Sequence, residues 1–184
     1  MSWPIGVLTA LIGVLGFNPV SVEIPVSGSE ETHCVVRVVD QKDDGQFVFD
    51  SPTCFAQLPA ALEFASYGLM TELDLAGVSG PGLFAAPDEA RALASFTLGI
   101  HFDGYNGTGS SISVVGSSCT GGWWNTGGTW SNRISSSWNG CYRLRHYDYP
   151  SKGGTWADTT GVGQTDNLPS FMNNRTESVA YYGS

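Results

Sequence analysis

Two stretches of this chain repeat one another, and that repeat limits the possible folds more than any other feature. Phe102-Asp-Gly-Tyr-Asn-Gly-Thr-Gly109 is echoed by Tyr147-Asp-Tyr-Pro-Ser-Lys-Gly-Gly154, an offset of 45 residues. Ser131-Asn-Arg-Ile-Ser-Ser136 is echoed by Asn173-Asn-Arg-Thr-Glu-Ser178, an offset of 42. In each copy an aromatic precedes a glycine by seven positions, and a six-residue segment containing Asn-Arg follows. An aromatic ahead of a glycine-closed loop reads as a folded hairpin whose ring packs over the turn. The Ser and Asn of the later segment supply side-chain oxygens that fix a loop between strands. Two such four-strand units would pack as a sandwich.

The surroundings agree with a β reading. Short apolar runs at Phe96–Phe102, Ile112–Val115, Cys141–Tyr147 and Val179–Tyr182 are separated by Gly, Ser, Asn and Thr, the pattern of an all-β sandwich or barrel. Aromatics make up 12% of the chain and charged residues 14%, so ring surface is available for a core.

With these residues in view, the last 85 or so residues resemble the βγ-crystallin family of the secreted bacterial type. That family is marked by an aromatic, four residues, an aromatic, one residue and Gly, then by a calcium-loop segment of the form [ND][ND]xx[ST]S. Phe102 to Gly109 and Tyr147 to Gly154 match the first signature in spacing, with Gly107 and Lys152 where the second aromatic is expected. The second signature is matched by 131–136 except at Ser131, and by 173–178 except at Glu177. The resemblance implies a Greek-key sandwich over residues 98–184. It also implies two weak calcium sites between the loops. One would use Ser135 and the carbonyls of Arg133 and Thr155; the other would use Glu177 and the carbonyls of Arg175 and Ser110. Glu177 either strengthens its site or replaces the metal by pairing with Arg175. The alternative is that both loops only hold turns.

Four cysteines divide two and two, and none lies in a C-x-x-C pair, which leaves zinc ribbons and thioredoxin-type motifs unsupported. The simplest pairing is Cys34–Cys54 and Cys119–Cys141, each closing a loop worth roughly 3 kcal/mol in the chain-entropy model. Disulfides would place the protein in an oxidising compartment, secreted or extracellular; four reduced core thiols are the alternative.

The chemistry of enzymes is missing from the pattern. His33, His101 and His146 form no H-E-x-x-H, and G-x-S-x-G is absent. Asp103 and Asp148 occupy equivalent repeat positions and read as turn-stabilising residues rather than a paired-carboxylate site. The net charge of −9 lies upstream, because acids and bases cancel from Phe102 to Ser184. Without a basic patch, nucleic acid and anionic lipid surfaces are not expected partners. Trp123, Trp124 and Trp130, set among glycines after Cys119, are either a core plug or an exposed recognition loop; core packing is the preferred reading.

The N-terminal half divides further. Residues 1–27 contain an uncharged run from Trp3 to Phe17, within which Ile5–Leu15 has the length of a signal-peptide core, but no Lys or Arg precedes it and no A-x-A site follows before Pro19; a processed signal, a retained element and an assembly anchor all stay open. Residues 28–75 read as a small disulfide-linked α+β unit: strands at Cys34–Asp40 and Gln46–Asp50, a helix entry at Ser51–Cys54, and a helix over Leu58–Tyr67 burying Leu62 and Phe64. Residues 76–97, dense in Gly and Pro, read as a linker with a short helix at Pro87–Ala94.

The expectation is therefore a secreted, non-enzymatic βγ-crystallin-like protein that binds calcium weakly or serves as a structural surface. A proteinase inhibitor is the second reading, because secreted bacterial metalloproteinase inhibitors use the family's fold with two disulfides. The third is a subunit of an extracellular assembly that uses residues 3–17 for contacts. Fold alone does not choose among them.

Overall fold

Alternation of apolar and polar residues along short strands sends one side of each strand inward, so two sheets result. The computed structural model describes residues 31–66 and 96–183. The strands are β1 (His33–Gln41), β2 (Phe47–Phe49), β3 (Thr53–Phe55), β4 (Phe96–Phe102), β5 (Ser111–Gly116) and β6 (Trp123–Asn125). They continue with β7 (Ser136–Asn139), β8 (Arg143–Tyr149), β9 (Gly153–Thr160), β10 (Thr165–Asn167) and β11 (Ser178–Tyr182). The helix of the described residues is α1 (Leu58–Ala65). The expectations placed on residues 1–27, on most of 76–97 and on the helix at Pro87–Ala94 lie outside the described residues; β4 begins at Phe96, inside the stretch read as linker.

One sheet runs β10-β7-β4-β5-β1-β2, with β3 also on β1; the other runs β6-β11-β8-β9. The repeat units are β4 to β7 and β8 to β11. Each keeps three strands and gives its third to the other: β6 pairs with β11, and β10 pairs with β7. Between the sheets lies the main core, where Leu98, Val114, Ile134, Leu144, Met172 and Tyr181 are each completely buried.

The hairpin–helix unit is built onto this pair of sheets. β1 runs parallel to β5 over five residue pairs, from His33 opposite Ser111 to Arg37 opposite Val115. Val36 and Phe47 reach into the main core beside Leu98 and Tyr181. The disulfide Cys34–Cys54 joins β1 to β3, and Cys119–Cys141 ties the approach to β6 to the approach to β8. Among the described residues no helix is long and apolar enough to cross a membrane.

Two local expectations change. Ser51–Cys54 is not a helix entry: Thr53 and Cys54 pair with Val35 and Cys34 of β1, and the helix starts after Gln57 with Pro59 in its first turn. Leu62 is 2% exposed, but Phe64 is 40% exposed. Phe64 faces outward, with the Arg37 guanidinium 4.8 Å above its ring, whereas Ala61 and Ala65 meet Val35 and Val115. Leu62 packs with Ile100, Phe102 and Trp138, so α1 covers the outer face of the larger sheet. Burial of one leucine of this kind contributes about 1.5–3 kcal/mol.

Candidate functional site

Equivalent positions of the two repeats make equivalent hydrogen bonds. The Ser135 backbone N–H donates to the Phe102 carbonyl, and that of Glu177 to the Tyr147 carbonyl, both at 2.8 Å. Ser136 Oγ donates to the Gly104 carbonyl (2.7 Å) and accepts from the Gly107 N–H (3.0 Å). Ser178 Oγ does the same with the Tyr149 carbonyl (2.8 Å) and the Lys152 N–H (3.0 Å). Gly107 and Lys152 both take positive φ, 72° and 62°, and so serve as backbone hinges where the family pattern has a second aromatic. The two loops also hold each other: Asn132 N–H donates to the Thr176 carbonyl, and Asn174 N–H to that of Ile134, both at 3.0 Å.

Asp103 and Asp148 explain why aspartate and glycine recur together. The Arg133 Nη2 donates to Asp103 at 2.5 Å, and the Arg175 Nη2 to Asp148 at 3.1 Å. Each carboxylate is tucked against the glycine that closes its loop. A Cβ on Gly109 would collide with Asp103 Oδ1, and one on Gly154 with Asp148 Oδ1. The two aspartates thus serve separate turns, each with its own arginine.

The residues read as calcium ligands fall into two contacts. Ser135 Oγ donates to the Asp103 carbonyl at 2.8 Å and lies 3.1 Å from Asn174 Oδ1. The Glu177 carboxylate accepts from Ser131 Oγ at 2.6 Å and from Asn132 Nδ2 at 2.5 Å. Glu177 therefore does not pair with Arg175, whose guanidinium serves Asp148 and the Phe171 carbonyl. Ser110 Oγ accepts from the Thr32 N–H at 3.1 Å, and the Thr155 N–H donates to Asp148 Oδ1 at 2.6 Å. The structure thus joins Ser135 to Asn174, and Glu177 to Ser131 and Asn132, while the hydroxyl of Ser110 and the N–H of Thr155 are bonded elsewhere. Among the described residues no group of three or more His, Cys, Asp or Glu side chains is placed to hold a metal.

The tryptophans after Cys119 do not form an exposed loop: Trp123, Trp124 and Trp130 are 4%, 6% and 7% exposed. Transfer of β6 into the second sheet explains this. Its neighbours in the strand point to opposite faces, Trp124 into the main core and Trp123 onto the outer face with Tyr147 and Ala180. The Trp124 indole N–H donates to Tyr181 Oη at 3.0 Å, and that of Trp123 to the Asp44 carbonyl at 3.0 Å. Trp130 lies in the core, with the Arg133 guanidinium 5.0 Å from its ring.

That outer face carries groups the sequence reading passed over. Arg145 is stacked 3.6 Å over the Trp156 ring and donates through Nε and Nη2 to Asp158, at 2.7 and 2.9 Å. This pairing with Asp158 raises the Arg145 pKa above its ordinary value. Arg143 lies 4.3 Å over the Tyr182 ring, and Lys152 5.1 Å over that of Trp123. Tyr147 Oη is 3.4 Å from Tyr182 Oη, and burial followed by this contact pushes the Tyr147 phenol up to about 12. The available signal was the period of two along a strand, which puts Arg143, Arg145, Tyr147 and Tyr149 of Arg143-Leu-Arg-His-Tyr-Asp-Tyr149 on one side.

On the inner side of the same strand, His146 faces His101 across the core, and both are completely buried. Burial drives the His101 pKa well below its ordinary value and that of His146 down to about 3, so both rings are neutral at physiological pH. No protein-family model, curated protein or solved structure matches the chain.

Proposed function

We propose that the chain is a secreted, non-enzymatic protein whose repeat region forms a βγ-crystallin-like Greek-key sandwich, and that its paired loops take calcium weakly. The observation that carries this reading is the reciprocal exchange of β6 and β10, together with hydrogen bonds duplicated at the 45- and 42-residue offsets. Exchange of the third strand makes each sheet a product of both units, so the two loops come together at one end. Two disulfides support an oxidising, extracellular setting.

Weak calcium binding follows from how the loop oxygens are already used. Glu177 brings the only carboxylate among the six candidate positions, and both of its oxygens accept hydrogen bonds from Ser131 and Asn132. A calcium ion needs six to eight oxygens and would have to replace these donors, which sets its affinity at the low end. Calorimetric titration with calcium at near-physiological salt tests the reading. A small saturable heat and a modest rise in Tm are expected, weakened by Ser135→Ala at one loop and by Glu177→Gln at the other. No heat and no thermal shift at millimolar calcium would leave the loops as structural latches and overturn the calcium part.

A further inference from the structure

The two outer faces differ in chemistry. On the larger sheet the outer face is apolar, with Val35, Ile100, Phe102, Val115 and Trp138, and α1 lies over it. The outer face of the smaller sheet exposes rings and charges instead: Trp156 is 47% and Tyr149 62% exposed, while Arg143, Arg145 and Asp158 lie between. The alternation that places them there puts no Leu, Ile, Val or Met on that side of β6, β8, β9 or β11.

We infer that this face binds an acidic polysaccharide built from uronic acids, stacking a sugar ring on Trp156 and taking a carboxylate with Arg143. Three features support a glycan. First, an exposed indole offers a flat π surface to the C–H face of a pyranose. Second, the polar groups beside it are already fixed: Arg145 is clamped by two bonds to Asp158 and lies flat on Trp156, so little freedom is lost on binding. Third, Arg143 has donor capacity to spare. Its side chain is 31% exposed, and its Nη1 stands 3.9 Å from Asp158, beyond hydrogen-bonding distance.

Charge supports an anionic glycan. In a chain of net charge −9, this face gathers Arg143, Arg145 and Lys152 against Asp158. Other acids border the face at both edges: the Asp43–Asp44 turn meets it at β6, where the Asp44 carbonyl binds Trp123, and Asp166 accepts the N–H of Thr160, the residue opposite Arg143. Arg143, Arg145 and Lys152 still outnumber Asp158 and Asp166 around the face, which favours a carboxylate there. A guanidinium takes such a group in a bidentate fork.

Titration of the full chain with oligogalacturonate, followed by tryptophan fluorescence and calorimetry, tests this. The result expected is saturable binding that Trp156→Ala and Arg143→Gln each weaken at least tenfold. Phe171→Ala, at an exposed ring on a different loop, should leave binding unchanged. An uncharged galactose oligomer of the same length should bind at least tenfold more weakly. Circular dichroism and melting curves identify any variant that fails to fold, and the two variants probe separate groups. Absence of saturable binding overturns the inference. So does binding that salt abolishes but Trp156→Ala does not change, or equal affinity for the uncharged oligomer. Sedimentation that reveals a dimer dissolved by Trp156→Ala would overturn it too, by assigning the face to a second copy.

Discussion

His101 and His146 meet edge to face at 5.6 Å in the middle of the inter-sheet core, 45 positions apart, as the repeat requires. Their surroundings have diverged. His101 has both nitrogens engaged: Nδ1 is 2.8 Å from Ser137 Oγ and Nε2 is 2.8 Å from Tyr181 Oη. Because Tyr181 Oη accepts from the Trp124 indole, the arrangement that uses every hydrogen has Tyr181 donating to Nε2, with the His101 proton on Nδ1. His146 has a long contact to Thr159 Oγ1 at 3.4 Å, and its Nδ1 has no partner.

Acid should destabilise the fold through this pair. Folding lowers the His146 pKa from 6.5 to about 3 and that of His101 in the same direction. The unfolded chain therefore takes up protons below about pH 6.5 that the folded core refuses. The stabilisation is complete above that pH and is lost progressively as pH falls towards the folded value, by up to about 1.4 kcal/mol per pH unit per histidine. His33, also lowered by burial, adds to the same trend. Urea melts between pH 7.5 and 5 should show the slope, and His146→Gln should reduce it by about one proton. A stability that does not change across that range would contradict the pairing of two neutral rings.

The missing partner of His146 has a specific origin. Ser137 stands opposite His101 in the β7–β4 register, and its repeat equivalent opposite His146 is Val179. Val179→Thr should therefore give Nδ1 an oxygen at little steric change. A buried hydroxyl ordinarily costs about 1–3 kcal/mol, and a hydrogen bond returns about 1. Val114→Thr, at another completely buried position, supplies the comparison. Val179→Thr is expected to cost at least about 1 kcal/mol less than Val114→Thr in chemical denaturation. Equal costs would mean that the hydroxyl introduced beside His146 does not reach the ring.

Gly154 is irreplaceable for two separate reasons. Its φ of +77° lies where side chains are strained, and a Cβ there would collide with Asp148 Oδ1. Gly154→Ala should therefore cost more than the roughly 1 kcal/mol of φ strain alone. Adding Asp148→Ala should recover none of the Arg175 and Thr155 bonds but should remove the tighter of two clashes, leaving the one with the exposed Tyr149 ring, which can turn aside. The double variant is then less destabilised than the sum of the singles, by about 1 kcal/mol or more. Simple additivity would show that Asp148 swings away freely.

Legibility in the sequence followed the source of each element's stability. β4, β5, β8 and β11 overlap the apolar runs, because Leu98, Ile112, Val114, Leu144, Val179 and Tyr181 supply the core from them. β7, β9 and β10 read Ser-Ser-Trp-Asn, Gly-Gly-Thr-Trp-Ala-Asp-Thr-Thr and Thr-Asp-Asn; backbone pairing with distant strands forms them, and no local pattern announces it. The loops were visible as repeats, yet the Asp103–Arg133 and Asp148–Arg175 bonds depend on how each unit closes on itself. Trp123 and Trp124 could not be placed from composition, since their faces are decided by β6 joining the opposite sheet.

Sharing of the larger sheet between β1 and β5 bears on whether the repeat region folds alone. Net charge near zero, aromatic density and the Cys119–Cys141 bond suggest that residues 96–184 would do so. The structure sets three losses against this. Removing β1 uncovers the whole β5 edge, which is paired over five residues. It takes Val36 and Phe47 out of the main core, where each aliphatic or aromatic side chain contributes about 1.5–3 kcal/mol. Without α1, Ile100, Phe102 and Trp138 come into contact with water on the outer face. A small domain has about 5–15 kcal/mol of net stability to lose. The fragment 96–184 should thus keep strand signal in circular dichroism but melt broadly and associate through its open edge. Restoring residues 31–66 on a flexible tether should return a sharp, cooperative transition. If the fragment alone gives dispersed amide signals and the same Tm as the full chain, β1 and α1 are ornaments on a self-sufficient sandwich.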